Sequence, residues 1–440
     1  MHNAITTLVS EELGGNSKWA GTLAAPNGSV YGIPSRAGRV VKLDPVDKST
    51  THIGPDFGHD GKWRRGPMTK SGVIYCPPYH PDRGILKIDT NTNNVTELNR
   101  NRLPEDGISL WISCAAAPDG CVYFMPYGAC WIMKLDPNNN DRMKSVGEAL
   151  ADDLFYIGTV VGADGCVYGL PSNPVPIVKY DPIDGDTSIF EEEAHADFSC
   201  KGNGTLGRNG CIYALAGIEN GRVLEIDTTN NSYCFVGNRI QSDHAEGMGV
   251  GWGDAILGID GCIYWPPFNA RRTLKYDPYT DQTSLVGDDF GRNGRRWISV
   301  ALASDGVVYC IPRCANRVLA IDPLREFSVT TKTNMEEHPE ELGFLFRIND
   351  ADTASNRTYF DCAVTKFGIQ KVLEIMEEHM PPANEVCAVC GLYPFMIAAS
   401  YNESPLSVVY SLLREFPFLV NRNSNSAVGK GNLKRKRVPL

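Results

Sequence analysis

Asp164-Gly165-Cys166-Val167-Tyr168-Gly169-Leu170-Pro171, followed ten residues later by Asp181-Pro182, is the stretch from which the fold can be read. Asp-Gly signals a hairpin, because both residues accept the positive φ of a tight primed turn. Cys-Val-Tyr-Gly-Leu is a short β-favouring run, and Pro171 ends it by withholding an N–H. Ile177 to Tyr180 reads as the next strand, and Asp181-Pro182 opens the next turn. The chain writes this unit seven times. Its tyrosines are Tyr31, Tyr75, Tyr123, Tyr168, Tyr213, Tyr264 and Tyr309, spaced by 44, 48, 45, 45, 51 and 45 residues. Asp44, Asp89, Asp136, Asp181, Asp227, Asp277 and Asp322 keep step with them. A period of about 46 residues is the size of a four-stranded blade, and seven copies predict an all-β, seven-bladed propeller.

In the first copy the strands are expected at Gly21 to Ala25, Val30 to Pro34, Arg39 to Leu43 and Ser49 to Ile53. The first strand of each copy is rich in small residues (Ala24-Ala25, Ala115 to Ala117, Gly162, Gly207, Gly258, Ala301), as the crowded innermost strand of a propeller requires. A barrel of alternating strands and helices is excluded by the lack of helical period. Thr6-Thr7-Leu8-Val9, then Gly14 and Trp19, resembles Thr283-Ser284-Leu285-Val286, then Gly291 and Trp297. Residues 5–9 are therefore expected to close the ring as the outer strand of blade seven. Residues 327–331 are the alternative for that place.

The propeller is assigned to residues 1–335. A polar linker follows at 336–354, and helical periodicity then appears at 355–420, over Thr358 to Phe367, Ile369 to Met380, Pro394 to Ser400 and Pro405 to Phe416. Two halves of this segment match at an offset of about 35 residues, which resembles a pair of degenerate ankyrin repeats. Residues 421–440 read as a disordered basic tail. Lys434, Arg435, Lys436 and Arg437 fit a nuclear-localisation cluster in an otherwise cytoplasmic protein. No secretory signal is read at residues 1–13, and no run reaches membrane-spanning length, so no membrane partner is expected. The 14 cysteines are then reduced thiols, four of which (Cys121, Cys166, Cys211, Cys262) share one repeat position as small core residues. A formal charge of −10 argues against nucleic acid as the partner of the main body.

Asp-Gly-x-Val-Tyr-x-x-Pro, with Val-x-Lys-Ile-Asp-Pro about ten residues on, resembles the kelch-like and lyase- or lactonase-like propellers over residues 5 to about 333. The repeated residues are turn and core residues, so the resemblance implies architecture and no particular activity. The kelch double glycine and the Trp-Asp end of the WD repeat are absent. The pairing with ankyrin-like helices is similar to propeller–ankyrin proteins of algae such as diatoms.

Nine residues before each turn glycine stand Trp19, Trp63, Trp111, Tyr156, Lys201, Trp252 and Trp297. Two readings apply: wedges between blades, or a partly exposed aromatic collar around the channel mouth. Two residues further on, Gly21, Arg65, Ser113, Gly158, Asn203, Asp254 and Ser299 form a more polar and less regular column. Loops expected on the same face carry Arg36, His80, Arg83, Arg271, Arg272, Arg313 and Arg317, together with Arg64, Arg295 and Arg296. Arginine beside aromatic residues suits an acidic peptide or small anion. The leading expectation is a non-catalytic protein-interaction scaffold. A propeller hydrolase or lyase, and a glycan-binding propeller using the tryptophans, are the alternatives. His244, Glu246 and Asp254 are the weak candidates for acid–base or metal chemistry. Cys387-x-x-Cys390 lacks a second pair, and no phosphate loop or nucleophile elbow is present, so no cofactor and no metal are expected.

Overall fold

The computed structural model describes residues 5–325, apart from 80–81, 99–110, 152–153, 191–198, 218–220, 241–250, 279, 293 and 324. The linker, the ankyrin-like module, the basic tail and Cys387-x-x-Cys390 lie outside the described residues, as do His80, His244 and Glu246.

Strand β1 (Thr6–Val9) precedes seven sheets, the blades. Blade one holds β2 (Trp19–Ala24), β3 (Val30–Pro34), β4 (Val40–Leu43) and β5 (Thr50–Ile53). Blade two holds β6 (Val73–Cys76), β7 (Leu86–Asp89) and β8 (Asn94–Glu97). Blade three is β9 (Trp111–Ala116), β10 (Val122–Pro126), β11 (Ile132–Asp136) and β12 (Arg142–Val146). Blade four is β13 (Tyr156–Val161), β14 (Val167–Pro171), β15 (Val178–Tyr180) and β16 (Thr187–Ile189). Blade five is β17 (Thr205–Leu206), β18 (Cys211–Leu215), β19 (Val223–Asp227) and β20 (Ser232–Val236). Blade six is β21 (Ile256–Leu257), β22 (Ile263–Trp265), β23 (Thr273–Asp277) and β24 (Gln282–Val286). Blade seven is β25 (Ala301–Leu302), β26 (Val308–Cys310) and β27 (Val318–Ile321). Its outer strand is β1, paired antiparallel from Thr6↔Ile321 to Val9↔Val318. Of the two candidates for that place, residues 5–9 take it.

The turn glycines Gly28, Gly72, Gly120, Gly165, Gly210, Gly261 and Gly306 all have φ between 78° and 85°. The residue before each is not left-handed, which corrects the expectation of a two-residue primed turn. In the first copy Gly28 N–H bonds Ala25 O at 2.9 Å and Ala25 N–H bonds Ser29 O at 2.9 Å. This is the longer hairpin loop, a forward turn followed by one left-handed glycine. The preceding Asp or Asn is kept for its side chain: Asp164 Oδ1 accepts the Cys166 N–H (3.1 Å), and Oδ2 accepts Tyr168 Oη (2.7 Å) and pairs with Lys179 (2.9 Å). The same carboxylate–tyrosine–lysine trio recurs at Asp119, Tyr123 and Lys134, and at Asp260, Tyr264 and Lys275. Burial, and then the bond to Asp164, push the Tyr168 hydroxyl up.

The tyrosines are fully buried between apolar strands, so the core sits between adjacent blades. No disulfide is formed among the 11 described cysteines; Cys121, Cys166 and Cys262 are buried and Cys211 is half-buried. Among the described residues no helix is long and apolar enough to cross a membrane.

Candidate functional site

The loops leading into each innermost strand and those joining the second strand to the third meet on one face. Arg36 N–H bonds Ser17 O (3.0 Å), Tyr79 N–H bonds Lys62 O (2.7 Å), Arg296 N–H bonds Phe268 O (2.9 Å) and Arg313 N–H bonds Arg296 O (2.7 Å). Arg36, Arg296 and Arg313 therefore lie on loops that meet on one face.

The collar aromatics do not surface there. Trp19, Trp63, Trp111, Tyr156, Trp252 and Trp297 are all buried. Each donates its one polar hydrogen to a backbone carbonyl just before β4, β7, β11, β15, β23 or β27 of its own blade. These bonds run from Trp19 to Arg39 O (3.1 Å), Trp63 to Gly84 O (2.8 Å), Trp111 to Trp131 O (3.2 Å), Tyr156 to Pro176 O (3.2 Å), Trp252 to Arg272 O (2.9 Å) and Trp297 to Arg317 O (3.0 Å). The wedge reading holds and the exposed-collar reading falls. A backbone feature explains why. In blades one, three and four the register slips by one residue between the collar position and the polar column, as in Trp19↔Pro34 against Gly21↔Ile33. Residues two apart normally share a face. The bulge breaks that parity, sending the aromatic into the core and the column toward the next blade. Lys201, the one non-aromatic member, is half-buried.

The column forms a hydrogen-bonded relay around the channel. Ser113 Oγ meets Thr159 Oγ1. Thr159 N–H bonds Asn203 Oδ1 (2.7 Å), and Asn203 N–H bonds Asp254 Oδ1 (2.9 Å). Ser299 bonds Asp254 and accepts the Thr22 N–H at 3.0 Å. Six blades are linked in this way. Thr22 and Thr159 were missed in the sequence, although a signal exists: each follows a column glycine and supplies the side chain that Gly21 or Gly158 lacks. Burial pushes the Asp254 carboxyl up, against the opposing pull of Arg65, the Asn203 N–H, Ser299 and Arg64. Asp254 as a residue is half-buried.

Arg65 of blade two is where the relay breaks. Its segment forms isolated bridges, Trp63↔Pro78 and Met68↔Ile74, in place of a continuous innermost strand. Pro67 has no N–H to give, and any side chain on Gly66 would lie 1.7 Å from Tyr75 O. Among the described residues the Arg65 side chain makes no hydrogen bond, and its Nε is sealed from solvent without an acceptor. Arg313 Nε is in the same condition. Burial, then the charges of Arg64 and Arg295, disfavour the Arg313 cation. Arg64 rests on the Tyr79 ring (4.3 Å) and Arg313 faces the Phe268 ring (5.9 Å), which fixes both.

The other predicted cations are engaged elsewhere or stand apart. Arg83 bonds Glu97 (3.3 Å) and Phe57 O (2.7 Å) beside the Trp63 ring. Arg271 is paired with Asp289 and holds that carboxyl down to about 2. Arg296 reaches Ala270 O and Arg292 O, capping its own loop as Lys18 and Lys62 cap theirs. Arg36 and Arg272 are exposed. Among the described residues no three His, Cys, Asp or Glu side chains converge so as to hold a metal. What remains is Arg64 and Arg65 beside one carboxylate, Asp254, with Arg313 beside Arg64 and the exposed Arg295.

No family model matches the chain, and no curated protein does. Solved structures do resemble it. A streptogramin B lyase superposes with a TM-score of 0.58 at 14% identity, over 72% of this chain and 97% of the lyase. The fold is shared. A catalytically inactive virginiamycin B lyase from Staphylococcus aureus, solved with quinupristin, gives 0.58 at 12% identity, over 72% and 98%. The hydrazine synthase of Kuenenia stuttgartiensis gives 0.54 at 14% identity, over 70% and 96%. At these identities the likeness extends to the seven-bladed architecture and not to chemistry.

Proposed function

We propose that this propeller is a non-catalytic interaction scaffold that captures an anionic group of a protein or peptide partner at its channel mouth, around Arg65 and Arg313. The observation that carries this reading is the pair of guanidinia without acceptors, held beside Arg64 and Arg295. The Nε atoms are sealed, so an incoming oxyanion would be taken at the Nη ends, where one charge-assisted hydrogen bond is worth about 1.5–3 kcal/mol. In this reading the ankyrin-like helices of 355–420 are a second contact surface, and the chain works in the cytoplasm, or in the nucleus by way of its basic tail. The glycan alternative loses its support, because the collar tryptophans are buried. The lyase alternative rests on Asp254 together with His244 and Glu246, which lie outside the described residues.

A test uses the full chain and a fluorescein-labelled glutamate-rich peptide followed by anisotropy. Arg65→Gln and Arg313→Gln should each weaken capture by about 10-fold, the worth of one charge-assisted pair. Arg271→Gln, whose guanidinium is already paired, should leave capture unchanged. Equal binding by all four proteins, or binding by none, would refute the reading.

A further inference from the structure

We propose that the group taken at the channel mouth is a phosphate monoester carried on a peptide. The inference rests on the anion-capture reading above and adds the chemical class of the ligand.

Arg64 and Arg65 act on one carboxylate, Asp254, which is already engaged by the Asn203 N–H and by Ser299, while Arg313 lies beside Arg64 and Arg295. Among the described residues none of Arg64, Arg65, Arg295 and Arg313 is ion-paired. A peptide carboxylate brings one charge and one pair of oxygens, enough for a single guanidinium fork. A phosphate monoester brings a charge of about −1.5 to −2 and three acceptor oxygens pointing in different directions. It can therefore accept from two or three guanidinia at once.

The arginines are also preorganised. The Tyr79 and Phe268 rings hold Arg64 and Arg313 in place, and the guanidinia of Arg313, Arg64 and Arg295 are near enough for their charges to oppose one another. Like charges gathered around a single buried carboxyl are costly, and the cost is relieved best by a dianion. Tyr79 is 43% exposed and lies directly beside Arg64. An exposed aromatic residue next to these arginines suits a side chain flanking a phosphorylated residue better than it suits a bare ion.

The experiment is isothermal titration of the full chain with three probes: a phosphoserine peptide, the same peptide with glutamate in place of phosphoserine, and inorganic phosphate. The phosphopeptide should bind at least 10-fold more tightly than the glutamate peptide. Inorganic phosphate should compete, but more weakly than the phosphopeptide. Affinity should rise as pH increases through about 6, where the phosphate gains its second charge. Arg65→Gln and Arg313→Gln should each weaken the phosphopeptide at least 10-fold. Arg64→Gln, at a half-exposed position, serves if either of those variants fails to fold. Equal affinity for the phosphate and glutamate peptides would overturn the phosphate inference and leave anion capture standing. Inorganic phosphate binding as tightly as the phosphopeptide would overturn the peptide part. Binding by neither peptide would overturn both readings, and phosphopeptide binding indifferent to all three arginine variants would overturn the site.

Discussion

Asp254 shows how far a single column residue could be read from the sequence. Its difference in kind from its neighbours marked it, and the structure adds the partners: the Asn203 N–H, Ser299, Arg65 and Arg64. Burial outweighs them and pushes the carboxyl above its usual range. A carboxyl raised in the folded state keeps its proton where the unfolded chain has lost it. Stability is therefore undiminished below the unfolded value and declines as pH rises through the folded one. Asp254→Asn preserves the acceptor for the Asn203 N–H and removes the buried charge. It should be more stable than the parent at pH 7 to 8 in urea titrations, and the difference should vanish as pH falls below the ordinary carboxylate range. A variant less stable than the parent throughout would mean that the pull of Arg65 and Arg64 prevails over burial. The tryptophans were legible as a column, but residue type could not choose between wedge and collar, because a bulge between positions i and i+2 has no signature in it.

At the scale of elements, the repeat gave strand positions to within a residue or two, since each blade alternates short apolar runs with Asp, Asn, Gly and Pro turns. What it could not give was hydrogen-bond connectivity. Asp-Gly is compatible with a primed turn and with a forward turn ending in a left-handed glycine, and only the bonds around Gly28 separate the two. The ring's closure was similarly half-legible. The likeness of residues 6–9 to 283–286 identified an outer strand, but its pairing with β27 is a long-range fact. Thr6 fastens it further, accepting the Asp288 N–H at 2.7 Å and donating to Asp288 Oδ2 at 3.2 Å. Deleting residues 1–10 would uncover the β27 edge and leave the blade with three strands. The truncated chain is expected to melt at a lower temperature and to associate in sedimentation experiments through the bare edge. A monomeric truncation with unchanged melting would show that β1 is dispensable to closure.

For the whole molecule the question is whether seven similar blades unfold one by one or as a ring, and the turns between the third and fourth strands bear on it. Lys48, Asn93, Asp141, Asn231 and Asp281 occupy that turn with φ between 52° and 63°, and each reaches back to the preceding blade. Lys48 meets Tyr309, Asn93 accepts from Tyr31 (2.9 Å), Asn231 accepts from Lys179 (2.9 Å) and Asp281 accepts the Gly237 N–H (2.7 Å). Asp141 is the strongest case, taking Tyr75 Oη at 2.6 Å and Lys87 Nζ at 2.6 Å. Open repeat arrays lose such contacts locally, whereas a closed ring spreads the loss over every interface. Asp141→Gly separates the latch from the backbone, because glycine favours the left-handed turn while lacking the carboxylate. It should cost about 1–2 kcal/mol, a charged hydrogen bond discounted for the half-exposed lysine. Asp141→Ala should cost more, since it adds the strain of a left-handed alanine. Asp141→Asn, which tolerates that conformation and still accepts from Tyr75, should cost least. If the propeller unfolds as one unit, Asp141→Gly will lower the denaturation midpoint with the slope unchanged, and fluorescence and circular dichroism will coincide. An early separate transition, or a shallower slope, would show that blades two and three open on their own and that the latches act only between neighbours.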